Sequence, residues 1–294
     1  MSNPTLDPRL NAIRDDLVAS DLHQYFPDRE AARAIPARCI TTLANLKRHP
    51  SDTAANDKQL LFGEDVYVFE KKNGWVWLQS QFDQYVGYCK EAHLTFDVQN
   101  VAKTHRVSSL RTPVFAAPDI KSNIQMLLSI NSEITVTETP ISENKGKFSY
   151  LQDIGWIFSD HLCPLDQFSH DFIAAAKLFF NAPYIWGGNS DLGLDCSGLI
   201  QIAAYAAGYK IPRDADMQEA FFEDAVDMKD IKFGDLLFWP GHVAIYLSND
   251  AVLHANATQL SVGYHPLEFL IAHIEKQENT PLRAIKRPHF EIKT

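Results

Sequence analysis

Leu194-Asp195-Cys196-Ser197-Gly198 leads directly into Leu199-Ile200-Gln201-Ile202-Ala203-Ala204-Tyr205-Ala206-Ala207, which Gly208 closes. A polar start, an apolar run and a terminal glycine predict a helix that opens at Cys196. Unpaired N–H groups and the macrodipole at such an end favour a thiolate, the nucleophilic form of cysteine. Free cysteine also serves as a small buried hydrophobe, so position alone does not make a catalyst.

Downstream, Gly234-Asp235-Leu236-Leu237-Phe238-Trp239-Pro240-Gly241-His242-Val243-Ala244-Ile245-Tyr246-Leu247 is followed by Ser248-Asn249-Asp250 and Ala251-Val252-Leu253-His254-Ala255-Asn256. This reads as a β-hairpin with a histidine on each arm. Side chains alternate faces along a strand, so only an odd-numbered loop puts both imidazoles on one side. A three-residue loop at 248–250 pairs Leu247 with Ala251, Ala244 with His254 and His242 with Asn256. The two histidines then become diagonal neighbours about 7–8 Å apart.

A cysteine and two same-face histidines suit nucleophilic catalysis. His242 would hold a thiolate–imidazolium pair with Cys196 and later protonate a leaving amine, and His254 would fix the ring's tautomer. Cysteine and histidine are also zinc ligands, but the tight spacings of common zinc motifs are missing. Neither a metal nor a cofactor is expected.

Five segments carry a resemblance: Pro183-Tyr184-Ile185-Trp186-Gly187-Gly188, Asp195-Cys196-Ser197-Gly198, Pro212-Arg213-Asp214 with Gln218, Gly234-Asp235-Leu236-Leu237-Phe238, and Gly241-His242-Val243-Ala244-Ile245-Tyr246. In order and spacing they resemble the NlpC family, papain-like bacterial cysteine peptidases that cut murein peptides. The resemblance implies Cys196, His242 and His254 as nucleophile, base and third polar residue. It also implies an oxyanion helper at Tyr184, which could instead pack beneath the Trp186-Gly187-Gly188 turn.

The chain has 294 residues and a net charge of −10. That length suggests more than one domain, and that charge disfavours a nucleic-acid partner. Met1-Ser2-Asn3-Pro4-Thr5-Leu6-Asp7-Pro8-Arg9 shows no basic stretch leading into an apolar core, and no later run is long enough to span a membrane. A cytoplasmic location is expected. Cys39, Cys89, Cys163 and Cys196 are scattered through the chain, which suits reduced thiols better than a disulfide framework, a Cys39–Cys89 bridge being the alternative. Nothing in the sequence sets an oligomeric state.

Ahead of the peptidase-like region lie two cycles of short alternating strands. The first includes Leu61-Phe62-Gly63-Glu64-Asp65-Val66-Tyr67-Val68, Gly74-Trp75-Val76-Trp77-Leu78 and Val86-Gly87-Tyr88-Cys89. The second includes Thr112-Pro113-Val114-Phe115, Met126-Leu127-Leu128-Ser129-Ile130, Lys147-Phe148-Ser149-Tyr150-Leu151 and Ile154-Gly155-Trp156-Ile157. They suggest two small barrels and resemble bacterial SH3-like modules. Leu10, Ile13, Leu17 and Leu22 fall on a roughly helical period. The expected architecture is an N-terminal helical lead-in (1–30), two all-β SH3-like barrels (31–98 and 102–164), and an α+β papain-like NlpC-type domain (168–290).

In relatives with this arrangement an acid and a tyrosine of the first barrel help bind the free amino end of L-Ala-γ-D-Glu-diamino acid peptides. Glu64 and Tyr88 look similar, with Asp195 and Ser197 completing the pocket; read alone, Glu64 is a solvated turn residue and Tyr88 a core or edge aromatic. Arg213 either meets a substrate carboxylate bidentately or pairs with Asp214 or Asp216. Ala215 stands where relatives often carry serine, which leaves the diamino acid, lysine or diaminopimelate, open. The expected activity is a cysteine endopeptidase of murein tripeptide or tetrapeptide turnover, cutting the γ-D-Glu–diamino acid amide. Two alternatives are a wall- or peptide-binding protein in which the barrels do the work, and acyl transfer or lipid amide hydrolysis by the same fold.

Overall fold

The computed structural model describes residues 6–98, 102–137, 140–143, 146–168, 170–248 and 250–290. The chain divides into two compact units, Met1–Gln167 and Phe168–Thr294.

The first unit is built from strands. β1 (Leu17–Ala19) pairs in parallel with β2 (Glu30–Ala32). A seven-stranded sheet follows, formed by β3 (Ile35–Cys39), β4 (Leu43–Lys47), β5 (Asn56–Leu61), β6 (Asp65–Lys72), β7 (Trp75–Ser80), β8 (Val86–Lys90) and β9 (Leu94–Thr95), in the order β5-β4-β8-β7-β6-β3-β9. Alternation buries Ala37, Cys39, Ala44, Leu46, Val66, Val68, Val76 and Leu78 along these strands. A second strand group spans 105–164, with its own core of Val107, Val114, Leu128, Ile134, Leu151 and Ile157. Phe62 of the first group packs into that core, and Gly63, at φ +83°, lies so close to the Glu133 carbonyl that a Cβ would collide with it.

The expected N-terminal helix does not form among the described residues 6–30, where the helical structure is one short 3-10 turn, His23–Tyr25. Leu17, Val18 and Ala19 are all buried, which a one-sided helical stripe would not allow, and Ala12, Leu17, Ala19 and Ala32 pack on Trp77. Strand pairing with β2 and burial against the barrel override the periodicity. Residues 1–5 of that lead-in lie outside the described residues.

The seven-stranded sheet and its loops bury a full cation. Lys58 is 0 % exposed, and its Nζ donates to Glu64 Oε1 (2.8 Å), Asp83 Oδ1 (2.8 Å) and Ser80 Oγ (3.1 Å). Burial by itself would lower the ammonium's pKa; Asp83 and Glu64 reverse this and hold it above the usual lysine range. Lys58→Met leaves two carboxylates without their cation, and is expected to cost about 3–5 kcal/mol. Urea unfolding of the variant reads this loss, and a change below about 1 kcal/mol would show the cluster to be dispensable.

In the second unit, α1 (Phe172–Lys177) packs on α2 (Cys196–Ala206), and α2 packs against the strands His242–Tyr246 and Ala251–Asn256 of a five-stranded antiparallel sheet. Numbered on from β10–β17 in the 105–164 group and the short pair β18 (Asn189–Ser190) and β19 (Gly193–Leu194), its strands are β20 (Leu236–Trp239), β21 (His242–Tyr246), β22 (Ala251–Asn256), β23 (Ser261–Pro266) and β24 (Ala284–Lys286), in the order β23-β22-β21-β20-β24. α3 (Ala215–Phe221) follows α2, and α4 (Leu267–Glu278) lays Leu267, Leu270 and Ile274 on Ala244, Val252, Leu237 and Trp239 of the sheet. Every residue of α2 is buried, which explains a helix apolar on nearly all sides.

Candidate active site

Cys196 opens α2 because Asp195 caps it, its Oδ1 accepting from the Gly198 N–H at 2.7 Å. Gly208, at φ +97°, ends the helix where the glycine predicted an end. The same carboxylate takes four further bonds: from the Gly187 N–H (2.9 Å), Ser197 Oγ (3.3 Å), and Arg213 Nη1 (2.9 Å) and Nη2 (2.7 Å). A carboxylate has about four lone-pair sites, so Asp195 has no acceptor capacity left for a substrate ammonium. Its place is to hold the start of α2 and the Gly187 turn together.

Arg213 is 1 % exposed. Besides gripping Asp195 bidentately it donates to Ser197 Oγ (2.8 Å) and the Gly188 carbonyl (3.2 Å). Instead of reaching a substrate carboxylate, the guanidinium locks the loop before α2 to the segment after it. Ala215 begins α3 and is buried. Gln218, on the same helix, donates to the carbonyls of Ser197 (3.0 Å) and Pro212 (2.9 Å), fixing this segment against α2.

The hairpin has the three-residue loop. Ile245 pairs with Leu253 and Tyr246 with Val252, and the Leu247 N–H donates to the Ala251 carbonyl at 2.7 Å. Asp250 takes φ +58°, the left-handed position such loops need; Asn249 lies outside the described residues. Ahead of β21 the chain reverses through Trp239-Pro240-Gly241-His242, with Gly241 at φ +78°. His242 and His254 therefore share a face, and His242 Nε2 lies 2.8 Å from His254 Nδ1.

The residues on either side of His242 both touch the sulfur. The Cys196 thiol donates to the Gly241 carbonyl at 3.7 Å, and the Val243 N–H bonds back to it. Cys196 is 6 % exposed, and burial, then the nearby Asp195 charge, push its thiol up to about 12. Burial pushes the His242 imidazole down to about 4. Burial thus opposes, on both partners, the thiolate–imidazolium form that the helix terminus favours. Desolvation outweighs the dipole here.

Tyr184 is half-buried beside Cys196, and burial, then the Cys196 and Asp195 charges, raise its phenol well above the usual range, so it stays an O–H donor. Its backbone N–H donates to the Leu260 carbonyl at 2.8 Å. In the first unit, Glu64 Oε1 accepts from Lys58 and from Ser80 Oγ (2.7 Å), while Oε2 accepts from the Leu61 N–H (3.1 Å). Tyr88 Oη accepts from Arg14 Nη1 at 3.1 Å. Each is thus engaged within the first unit.

One residue of this constellation escaped the sequence reading. His254 Nε2 lies 2.9 Å from His265 Nδ1 on β23, which extends the imidazole pair to a row of three. The missing step was the register of β23: Asn256 pairs with Ser261, and His265 therefore falls opposite Val252 on the face of His254. Gly263, directly opposite His254, has no side chain to block that diagonal. Among the described residues no group of histidines, cysteines and carboxylates is arranged to hold a metal ion.

The family model of the NlpC/P60 family matches residues 181–274, and that of the bacterial dipeptidyl-peptidase Sh3 domain matches 46–94. Dipeptidyl-peptidase 6 of Lysinibacillus sphaericus is 29% identical over 248 residues, covering 78% of this chain and 90% of that protein. A gamma-D-glutamyl-L-lysine dipeptidyl-peptidase of Bacillus subtilis (strain 168) is 30% identical over 224 residues, covering 69% of this chain and 73% of the relative. The crystal structure of an NlpC/P60 family protein from Bacillus cereus shares the fold with a TM-score of 0.70 at 22% identity, over 86% of this chain and 99% of that one. A capped cysteine, a same-face histidine pair and these matches agree: the chain belongs to the NlpC/P60 family of cysteine peptidases, with a bacterial SH3-like domain ahead of its papain-like domain.

Proposed function

We propose that this protein is a cysteine endopeptidase that hydrolyses the amide between γ-D-Glu and the diamino acid of murein peptides through a thioester at Cys196. The observation that carries this reading is the His242–His254 hydrogen bond on a strand whose start touches the Cys196 sulfur. The name of the Bacillus subtilis relative suggests the bond to be cut.

With burial disfavouring the charged form of both thiol and imidazole, His242 acts as a general base during attack. His242 Nε2 is taken by His254, so Nδ1 receives the thiol proton as the sulfur bonds to the carbonyl carbon. The Cys196 N–H and the Tyr184 hydroxyl stabilise the oxygen that gains charge. The C–N bond then breaks as His242 returns the proton to the leaving amine, and water cleaves the thioester by the reverse sequence.

The substrate is proposed to carry a free N-terminal L-Ala, since dipeptidyl-peptidases act from an amino end. Lys58 neutralises only one of Glu64 and Asp83, so the cluster keeps a net negative charge that suits an ammonium. Tyr88, also of the first unit, is read as its polar neighbour. The strand group at 105–164 is read as a second SH3-like barrel because it closes on a core of its own. Four free thiols suit a reducing compartment and a role in cytoplasmic murein-peptide recycling.

The test is cleavage of L-Ala-γ-D-Glu-diaminopimelate and L-Ala-γ-D-Glu-Lys peptides, free and N-acetylated, followed by mass spectrometry. Cleavage is expected at the γ-D-Glu amide, about tenfold or more slower for acetylated peptides, because an acetylated end brings no ammonium to the cluster's residual negative charge. Equal rates would remove the amino-end requirement while sparing the peptidase.

A further inference from the structure

The row of imidazoles has an inner and an outer end. His242 and His254 lie inside; burial takes His242 down to about 4 and His254, also beside His242, to about 2. His265 is partly exposed, and burial, then His273, lower it. Its ring stacks on Phe269 of α4 (centroids 5.5 Å apart, 21° between planes), and Phe269 stacks in turn on His273 (5.4 Å, 20°). The titratable groups that face it are His254 from β22 and His273 from α4.

Two proton arrangements satisfy both bonds in a neutral row. If His265 Nδ1 accepts, His254 carries its proton on Nε2, its Nδ1 accepts from His242 Nε2–H, and His242 Nδ1 is bare, the form a base needs. If His265 Nδ1 donates, every ring turns over electronically and His242 Nδ1 is already protonated. A protonated His265 has N–H on both nitrogens and imposes the second arrangement.

Resting on the peptidase reading above, we propose that His265 is a positioning residue: it holds His242 in the base tautomer through His254, and it takes the positive charge produced when His242 accepts the thiol proton. In that step the S–H bond breaks and an N–H bond forms at His242 Nδ1. One proton crosses from His242 Nε2 to His254 Nδ1, and another from His254 Nε2 to His265 Nδ1. One proton has entered the row, and its charge rests on the outermost ring, where hydration is best. By the same logic, His265 that is already protonated blocks the base, so it sets the acid limb of the pH–rate profile.

His265→Gln tests this, because glutamine Oε1 can accept from His254 Nε2–H but cannot be protonated at these pH values. Above neutral pH, kcat is expected to fall about tenfold with KM unchanged, and the acid limb to move down by about one pH unit. His265→Phe, which offers no acceptor, is expected to lose more activity at every pH. Nitrogen-15 spectra of histidine-labelled protein read the tautomers without substrate: in the unaltered protein His242 Nδ1 should be bare above neutral pH and become protonated as His265 titrates, and in His265→Gln that coupled change should vanish. A glutamine variant whose acid limb and rate match the unaltered protein overturns the proposal, as does a protonated His242 Nδ1 above neutral pH. Failure of the unaltered protein to cleave would count against the peptidase reading alone, because the nitrogen spectra still decide the tautomer.

Discussion

Cys196→Ala is expected to lower kcat/KM for the γ-D-Glu-diamino acid peptide by about five orders of magnitude or more, with peptide binding retained. Removing the nucleophile of an acyl-transfer constellation costs about as much as removing all its members, because base and orienter have nothing left to activate. The side chain is small and buried at the first turn of α2, and alanine is a strong helix former, so the fold should persist. Product formation followed by mass spectrometry, beside calorimetric binding of the intact peptide, separates chemistry from binding. Cleavage at even a hundredth of the original rate would rule out a thioester at Cys196.

The second large effect lies in a residue that no substrate need touch. Arg213→Met leaves the Asp195 carboxylate, 8 % exposed, without the cation that fills two of its five hydrogen bonds. Stranding a buried charge costs about 3–5 kcal/mol, and the melting transition should fall by about 10 °C. Activity should suffer as well, since Asp195 positions the turn of α2 that presents the thiol. The double variant Asp195→Asn with Arg213→Met removes the stranded charge and is expected to recover a good part of the loss. A single variant that melts within about 1 °C of the unaltered protein would show the pair to contribute little.

These two predictions differ in how far the sequence alone reached. The cysteine at a helix start was legible because capping and an apolar run are local: Asp195, Gly198 and Gly208 lie within a few residues of what they terminate. Loop parity was equally legible, and the observed Tyr246–Val252 pair is the register that three loop residues impose. The partner of Arg213 was not. Asp214 and Asp216 are its neighbours in the chain, but the helix start brings back Asp195, 18 positions earlier, and two parallel N–H bonds decide the pairing.

The N-terminal segment shows the opposite failure, where a local signal was present and lost. Leu10, Ile13, Leu17 and Leu22 mark a helical period, yet Val18, off that period, is fully buried in a strand. Pairing with Glu30–Ala32 satisfies its backbone, and Trp77 covers its neighbours. His265 was missed for a related reason, since its face depends on the turn after Asn256, where the Gln259 N–H donates to Asn256 Oδ1 and Leu260 takes φ +53°.

The sequence by itself determined the nucleophile's place at a helix terminus, the common face of His242 and His254, and the family to which both belong. Helical periods, caps and short loops act over a few residues, and their geometry follows from the backbone. Only the tertiary structure decided the desolvation of that nucleophile, the use of Arg213 and the outward extension of the imidazole row to His265. Desolvation and partner choice are set by what packs around a group, and the groups that pack there come from distant parts of the chain.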